Sequence, residues 1–162
     1  MKTIQLALLA TILTFGPMVA NAEQSAPADA AAPQRTIGNG DKNWIITDGS
    51  TRDGNTITFP EVRIDGNGWL VMHPFQEGKP NGNVYVGYTY VKDGSTKDVD
   101  IIVSPAPNTG DMYIVMLHRD VNENKAFDFV FIDGPHFGEG THVLDRAVFE
   151  GTRMIGHAYP AP

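Results

Sequence analysis

From about Thr36 to the C-terminus, short β-branched and aromatic runs alternate with clusters of Gly, Asn, Asp and Pro. No window in that stretch has a helical period. The runs are Trp44–Thr47, Thr56–Ile64, Trp69–His73, Val84–Val91, Val99–Ser104, Met112–His118, Asp128–Ile132, Ala147–Glu150 and Arg153–His157. Asp53-Gly54, Asp65-Gly66 and Asp93-Gly94 stand between such runs, and Asp-Gly flanked by strand-like residues is a hairpin signal. Seven to nine short antiparallel strands at near-regular spacing predict an immunoglobulin-like β-sandwich. A small β-barrel is the second choice. Met112–His118 is apolar at alternate and intervening positions alike, as in a central strand covered on both faces. Val99, Ile101 and Val103 alternate with Asp98 and Asp100 over a half-buried strand. The chain has no cysteine, which excludes disulfides, thiolate metal sites and thiol nucleophiles.

The N-terminus has a different composition. Lys2, the apolar run Ile4 to Phe15 and the small-x-small Ala20-Asn21-Ala22 predict a cleavable signal peptide over residues 1–22. The apolar run is shorter than the roughly 20 residues of a membrane span. Residues 23–35, Ala/Pro-rich, read as a flexible spacer, and 36–162 as a single β-sandwich domain. Loss of Lys2 leaves 11 basic and 19 acidic residues, a formal charge of −8. Such a chain repels phosphate backbones, so nucleic acid is not an expected partner. The expected product is periplasmic or secreted, with no membrane insertion after cleavage.

The segment richest in chemistry is Met116–Val130. Oxygen side chains fall at Asp120, Asn122, Asn124 and Asp128, and Ala126 lies where a backbone carbonyl is needed. These are positions one, three, five, nine and seven of a calcium-binding loop, whose alternate residues turn inward. Position six, usually Gly for the sharp turn, is Lys125. Position twelve, usually a bidentate carboxylate, is Phe131, so Asp133, Glu139 or water would complete the shell. The other reading is an Asx-rich hairpin bonded to its own backbone. The runs GWLVMHP (Gly68–Pro74), LHRDVNENKAFDFV (Leu117–Val130) and DGPH (Asp133–His136) resemble a family of secreted domains of unknown function. That family is best known from haloarchaeal surface proteins and is found also in bacteria. The similarity runs from about Arg52 to Phe149. It implies a β-rich secreted module and brings no known activity. The family pattern has Asp after the first His, Gly inside the loop and Tyr after Asp-Gly-Pro; here these are Pro74, Lys125 and His136.

A second candidate site is built from imidazole and thioether. Met116 and His118 share a strand face, whereas Met72 and His73 oppose each other, so His73, Met116 and His118 are the set that can converge. Soft sulfur suits Cu(I) and imidazole suits Cu(II), which makes copper the alternative cofactor to calcium. The competing reading places the methionines in the core and has His118 orient the following loop. His136 and His142 form a looser pair on a Gly-rich loop. Tyr85, Tyr88 and Tyr90, with Trp69 and Phe75, are either core or a contact surface, with Tyr85 opposing the other two. No Gly-x-Ser-x-Gly elbow, phosphate loop, dinucleotide fingerprint or His-Glu-x-x-His is present, so no enzyme is expected. The sequence therefore points to a non-catalytic, exported binding or assembly module whose partner is an envelope protein or a small ligand.

Overall fold

The computed structural model describes residues 34–129 and 145–162. The predicted signal peptide and nearly all of the predicted spacer lie outside the described residues, as do Asp133, His136, Glu139 and His142. The described residues form no helix, and their strands follow in chain order. β1 is Thr36–Gly38, β2 Trp44–Ile46, β3 Thr51–Asp53, β4 Thr56–Ile64, β5 Gly68–Gln76 and β6 Lys79–Pro80. β7 is Gly87–Val91, β8 Gly94–Ile102, β9 Met112–Arg119, β10 Phe149–Glu150 and β11 Arg153–Pro160. The eleven strands among the described residues exceed the predicted seven to nine because β1, β3 and β6, two or three residues each, fall outside the predicted runs.

The strands make two sheets, and the fold is an all-β sandwich. One sheet runs β1-β11-β9-β5-β6, with β10 also on β11 and β7 on β5. The other runs β2-β4-β3, with β8 on the opposite edge of β4. Among the described residues all pairings are antiparallel except β1 with β11, which is parallel. That departs from the predicted all-antiparallel arrangement.

The core lies between the sheets. Ile57, Phe59 and Ile64 of β4 and Ile101 of β8 meet Leu70 and Met72 of β5, Val115 and Leu117 of β9, and Ile155 of β11. Each fully buried side chain of this size contributes about 1.5–3 kcal/mol relative to exposure. In β4 the inward set changes from Ile57 and Phe59 to Val62 and Ile64. The shift falls at Pro60, which has no N–H for the ladder. The ladder pairs Phe59 with Val99 and Glu61 with Lys97, leaving Pro60 and Asp98 between them, and Asp98 has φ +51°.

Two connections hold the sheets together at one edge. Ser104 N–H donates to Val86 O at 2.8 Å, and a Cβ on Gly87 would run into the Ile102 carbonyl. A glycine is required there because two backbones pass at contact distance. β5 and β9 are buried on both faces from Gly68 to His73 and from Tyr113 to His118. Their inner residues enter the core, and their outer residues meet a second layer described next.

Candidate functional site

On the outer face of the larger sheet, β5 presents Trp69, Val71 and His73, and β9 presents Ile114, Met116 and His118. The ladder sets Trp69 opposite His118, Val71 opposite Met116 and His73 opposite Ile114. The two histidines are therefore diagonal, with the Val71–Met116 pair between them. Both lean inward, and their Nε2 atoms approach to 3.3 Å with ring centroids 5.4 Å apart. His73 is 0% exposed and His118 3%. His73 Nδ1 lies 2.7 Å from the Val84 carbonyl, and His118 Nδ1 2.8 Å from the Asp145 carbonyl. Burial drives the His118 pKa down to about 4 against the Asp145 hydrogen bond, and burial likewise lowers that of His73. The structure thus brings His73 and His118 together and puts Met116 on their face. Met72 belongs to the inter-sheet core.

An aromatic layer covers this pair. Phe127 and Phe129 stack at 5.5 Å and 7° between ring planes. Phe129 lies over both histidines, at 5.6 Å from His73 and 5.4 Å from His118. Phe127 packs on His118, Trp69, Tyr88 and Tyr85. Trp69 is buried here and not between the sheets, flanked by Tyr88 and Tyr90. Tyr85 joins Tyr88 at 5.4 Å instead of opposing it. The predicted strand Val84–Val91 begins as a ladder at Gly87, so strict alternation does not reach back to Tyr85. Phe75 pairs across the ladder with Pro80 instead. Tyr85 and Tyr88 remain about 40% exposed at the rim.

Phe127 and Phe129 are carried by the Asx-rich loop, and Asp128 between them faces into that loop. Asp128 Oδ2 accepts from Asn122 Nδ2 at 2.9 Å and Asn124 Nδ2 at 2.8 Å, which holds its carboxyl below the ordinary range. Asn122 Oδ1 accepts the Asn124 N–H at 3.3 Å, and Asn124 Oδ1 the Ala126 N–H at 2.7 Å. Asp120 heads the loop and is 3% exposed. Its Oδ2 accepts the Lys125 N–H at 3.1 Å, while its Oδ1 is buried without a hydrogen-bond partner among the described residues. Lys125 has φ +58°, the left-handed conformation for which a calcium loop uses Gly. A polar groove of about 300 Å³ adjoins Asp120, lined by Asn67, Arg119, Glu123 and Arg146.

Sequence reasoning missed Asp145. It is fully buried, and its carboxylate bridges the two ends of the loop: Oδ1 accepts Val121 N–H at 3.3 Å and Oδ2 accepts Asp128 N–H at 2.9 Å. Burial pushes its pKa up against those two hydrogen bonds. Its backbone carbonyl also holds His118, so one residue ties loop and histidine pair together. Asp145 is 25 positions from Asp120, beyond the reach of any loop template, and no sequence signal marked it. Among the described residues, no three His, Asp or Glu side chains gather as metal ligands. A cation in the loop would therefore draw on amide and backbone oxygens beside its carboxylates. Each Asn Oδ1 has a second lone pair left for that purpose.

Residues 44–150 match the model of a family described as a domain of unknown function, DUF7282. Cell surface glycoprotein 2 and cell surface glycoprotein 1 of Haloarcula hispanica are each 26% identical to this chain over 95 residues. The match covers 59% of this chain and 10% of each glycoprotein. No solved structure matches.

Proposed function

The chain belongs to the DUF7282 family of domains of unknown function, and on that premise we propose a non-catalytic, exported module for binding or assembly at the cell envelope, stabilised by calcium in the Asp120–Asp128 loop. The location is supported by the signal-peptide pattern of residues 1–22 and by relatives named as cell surface glycoproteins. The exposed Tyr85 and Tyr88 offer the surface for an envelope protein or small ligand.

One observation carries the calcium reading. Asp120 is buried at the head of the loop with Oδ1 unpartnered among the described residues, and a buried carboxylate oxygen left without donors is costly. A hard cation with oxygen ligands satisfies it. Asp120, Asn122, Asn124, Ala126 and Asp128 then supply side-chain and carbonyl oxygens in the order a calcium loop uses. The Lys125 turn, with its N–H on Asp120 Oδ2, already has the conformation this requires.

The test is thermal unfolding of metal-free protein with added calcium, added magnesium and chelator. Ligand at 100 times its Kd stabilises by about 2.7 kcal/mol, so calcium raises Tm by several degrees. Asp120→Asn removes most of that response. A melting curve indifferent to calcium and chelator overturns the reading.

A further inference from the structure

His73 and His118 each place Nδ1 against a backbone carbonyl, at 2.7 Å and 2.8 Å. A carbonyl oxygen accepts and never donates, so both Nδ1 atoms carry the hydrogen. A neutral imidazole has one N–H, so both Nε2 atoms carry a lone pair. Those two lone pairs face each other across 3.3 Å in a site closed to water. Two acceptors at that distance repel unless a positive centre lies between them.

A metal ion fits that gap. Imidazole nitrogens lie about 2.0–2.1 Å from a metal such as zinc, and two of them at a tetrahedral angle are about 3.3–3.4 Å apart. The carbonyl contacts at Nδ1 are the arrangement that fixes the tautomer and ring of a metal-ligating histidine. Met116 lies on the same face of the sheet, between the two histidine positions, and its flexible thioether is the candidate third donor. All three donors are neutral, and Phe127 and Phe129 make the surroundings apolar. The cost of burying an ion rises with the square of its charge, so a divalent ion without an anionic ligand costs about four times as much as a monovalent one. Imidazole with thioether is a donor set for Cu(I).

We propose that His73 Nε2, His118 Nε2 and the Met116 thioether form a buried site for one monovalent copper ion, roofed by Phe127 and Phe129. The alternative occupant of the gap is a shared proton. It puts an unpaired imidazolium into the same apolar, fully buried site, where an uncompensated charge is costly.

The proposal stands apart from the calcium reading, and its test runs with calcium present and with calcium chelated. The purified, untagged exported chain is titrated anaerobically with Cu(I) against a colorimetric Cu(I) chelator. The expected result is one copper per chain, with two nitrogen scatterers and one sulfur in the X-ray absorption spectrum. His73→Ala and His118→Ala remove the copper. Met116→Leu, close in volume and buried, keeps the fold, weakens binding and deletes the sulfur scatterer. Should the histidine variants fail to fold, nitrogen NMR of the wild-type rings decides instead. Two Nδ1–H tautomers, both shifting at Nε2 on copper addition, support the site. Failure of the wild-type chain to take Cu(I), binding unchanged in folded histidine variants, or an Nε2–H on either ring in copper-free protein at neutral pH overturns it.

Discussion

Asp145 accepts the N–H groups of Val121 and Asp128 through its carboxylate while its carbonyl holds His118 Nδ1. Truncating the side chain leaves two N–H groups without acceptors, at about 1–3 kcal/mol for each that stays buried. Asp145→Ala is therefore expected to destabilise the fold by several kcal/mol, read from denaturant midpoints. Amide exchange at Val121 and Asp128 should quicken more than at Leu70. Glu150 is a second such anchor: it accepts the N–H groups of Asp41, Lys42 and Asn43 and the Asn43 Nδ2. The Asn43 side-chain bond is the largest cause of its lowered pKa, and the backbone donors add to it. A carboxyl held below its ordinary value stabilises the fold above that value and loses the contribution as pH falls through the lowered one. The stability advantage of wild type over Glu150→Gln is expected to be full at pH 7 and to shrink below about pH 4.5. A gap between their urea midpoints that stays constant down to pH 3 counts against this. The oxygen spacing of Asp120, Asn122, Asn124 and Asp128 was legible in the sequence. Asp145 and Glu150 were not, because their partners lie 24 and 109 residues away at the far ends of the hydrogen bonds.

Among the elements, the arm Phe127-Asp128-Phe129 shows what alternation does outside a ladder. Successive side chains point opposite ways, so Asp128 closes the Asx loop while both rings roof the histidines. Phe127→Ala removes a half-buried ring, with an expected loss of about 1–3 kcal/mol. The ring also packs on Trp69 at 5.5 Å, so tryptophan emission should shift to the red. An unchanged spectrum would mean the arm does not cover Trp69 in solution. The Asp-Gly signals divide on the same scale. Asp53-Gly54 turns β3 into its ladder partner β4. Asp65-Gly66 and Asp93-Gly94 instead carry the chain from one sheet to the other, since β4 does not pair with β5, nor β7 with β8. A turn dipeptide fixes a local reversal, and the pairing of the strands beyond it depends on which faces they bury.

For the whole molecule, both sheets close on one apolar core, and the outer aromatic layer rests on strands of that core. Unfolding should therefore be a single transition. Far-UV circular dichroism reports the sheets, and tryptophan emission reports Trp69 in the outer layer with Trp44 in β2. Coincident midpoints are expected, and emission changing at lower denaturant would show that the outer layer melts separately. Calcium is expected to move both probes together, because Asp145 joins the loop to β9 through His118.

The sequence by itself determined the sandwich class, the long strands, the loop with calcium spacing and the opposition of Met72 to His73. Each of these is a local periodicity or spacing, carried by residues within about a dozen positions of each other. Only the tertiary structure decided that the histidines meet at Nε2, that Trp69 and Tyr85 belong to an outer layer, and that Asp145 bridges the loop. The first needs the register of β5 against β9, the second the fold-back of the Phe127–Phe129 arm, and the third the return of the chain after β9. Such long-range placements are set by how whole faces are buried, and no short window of residues encodes them.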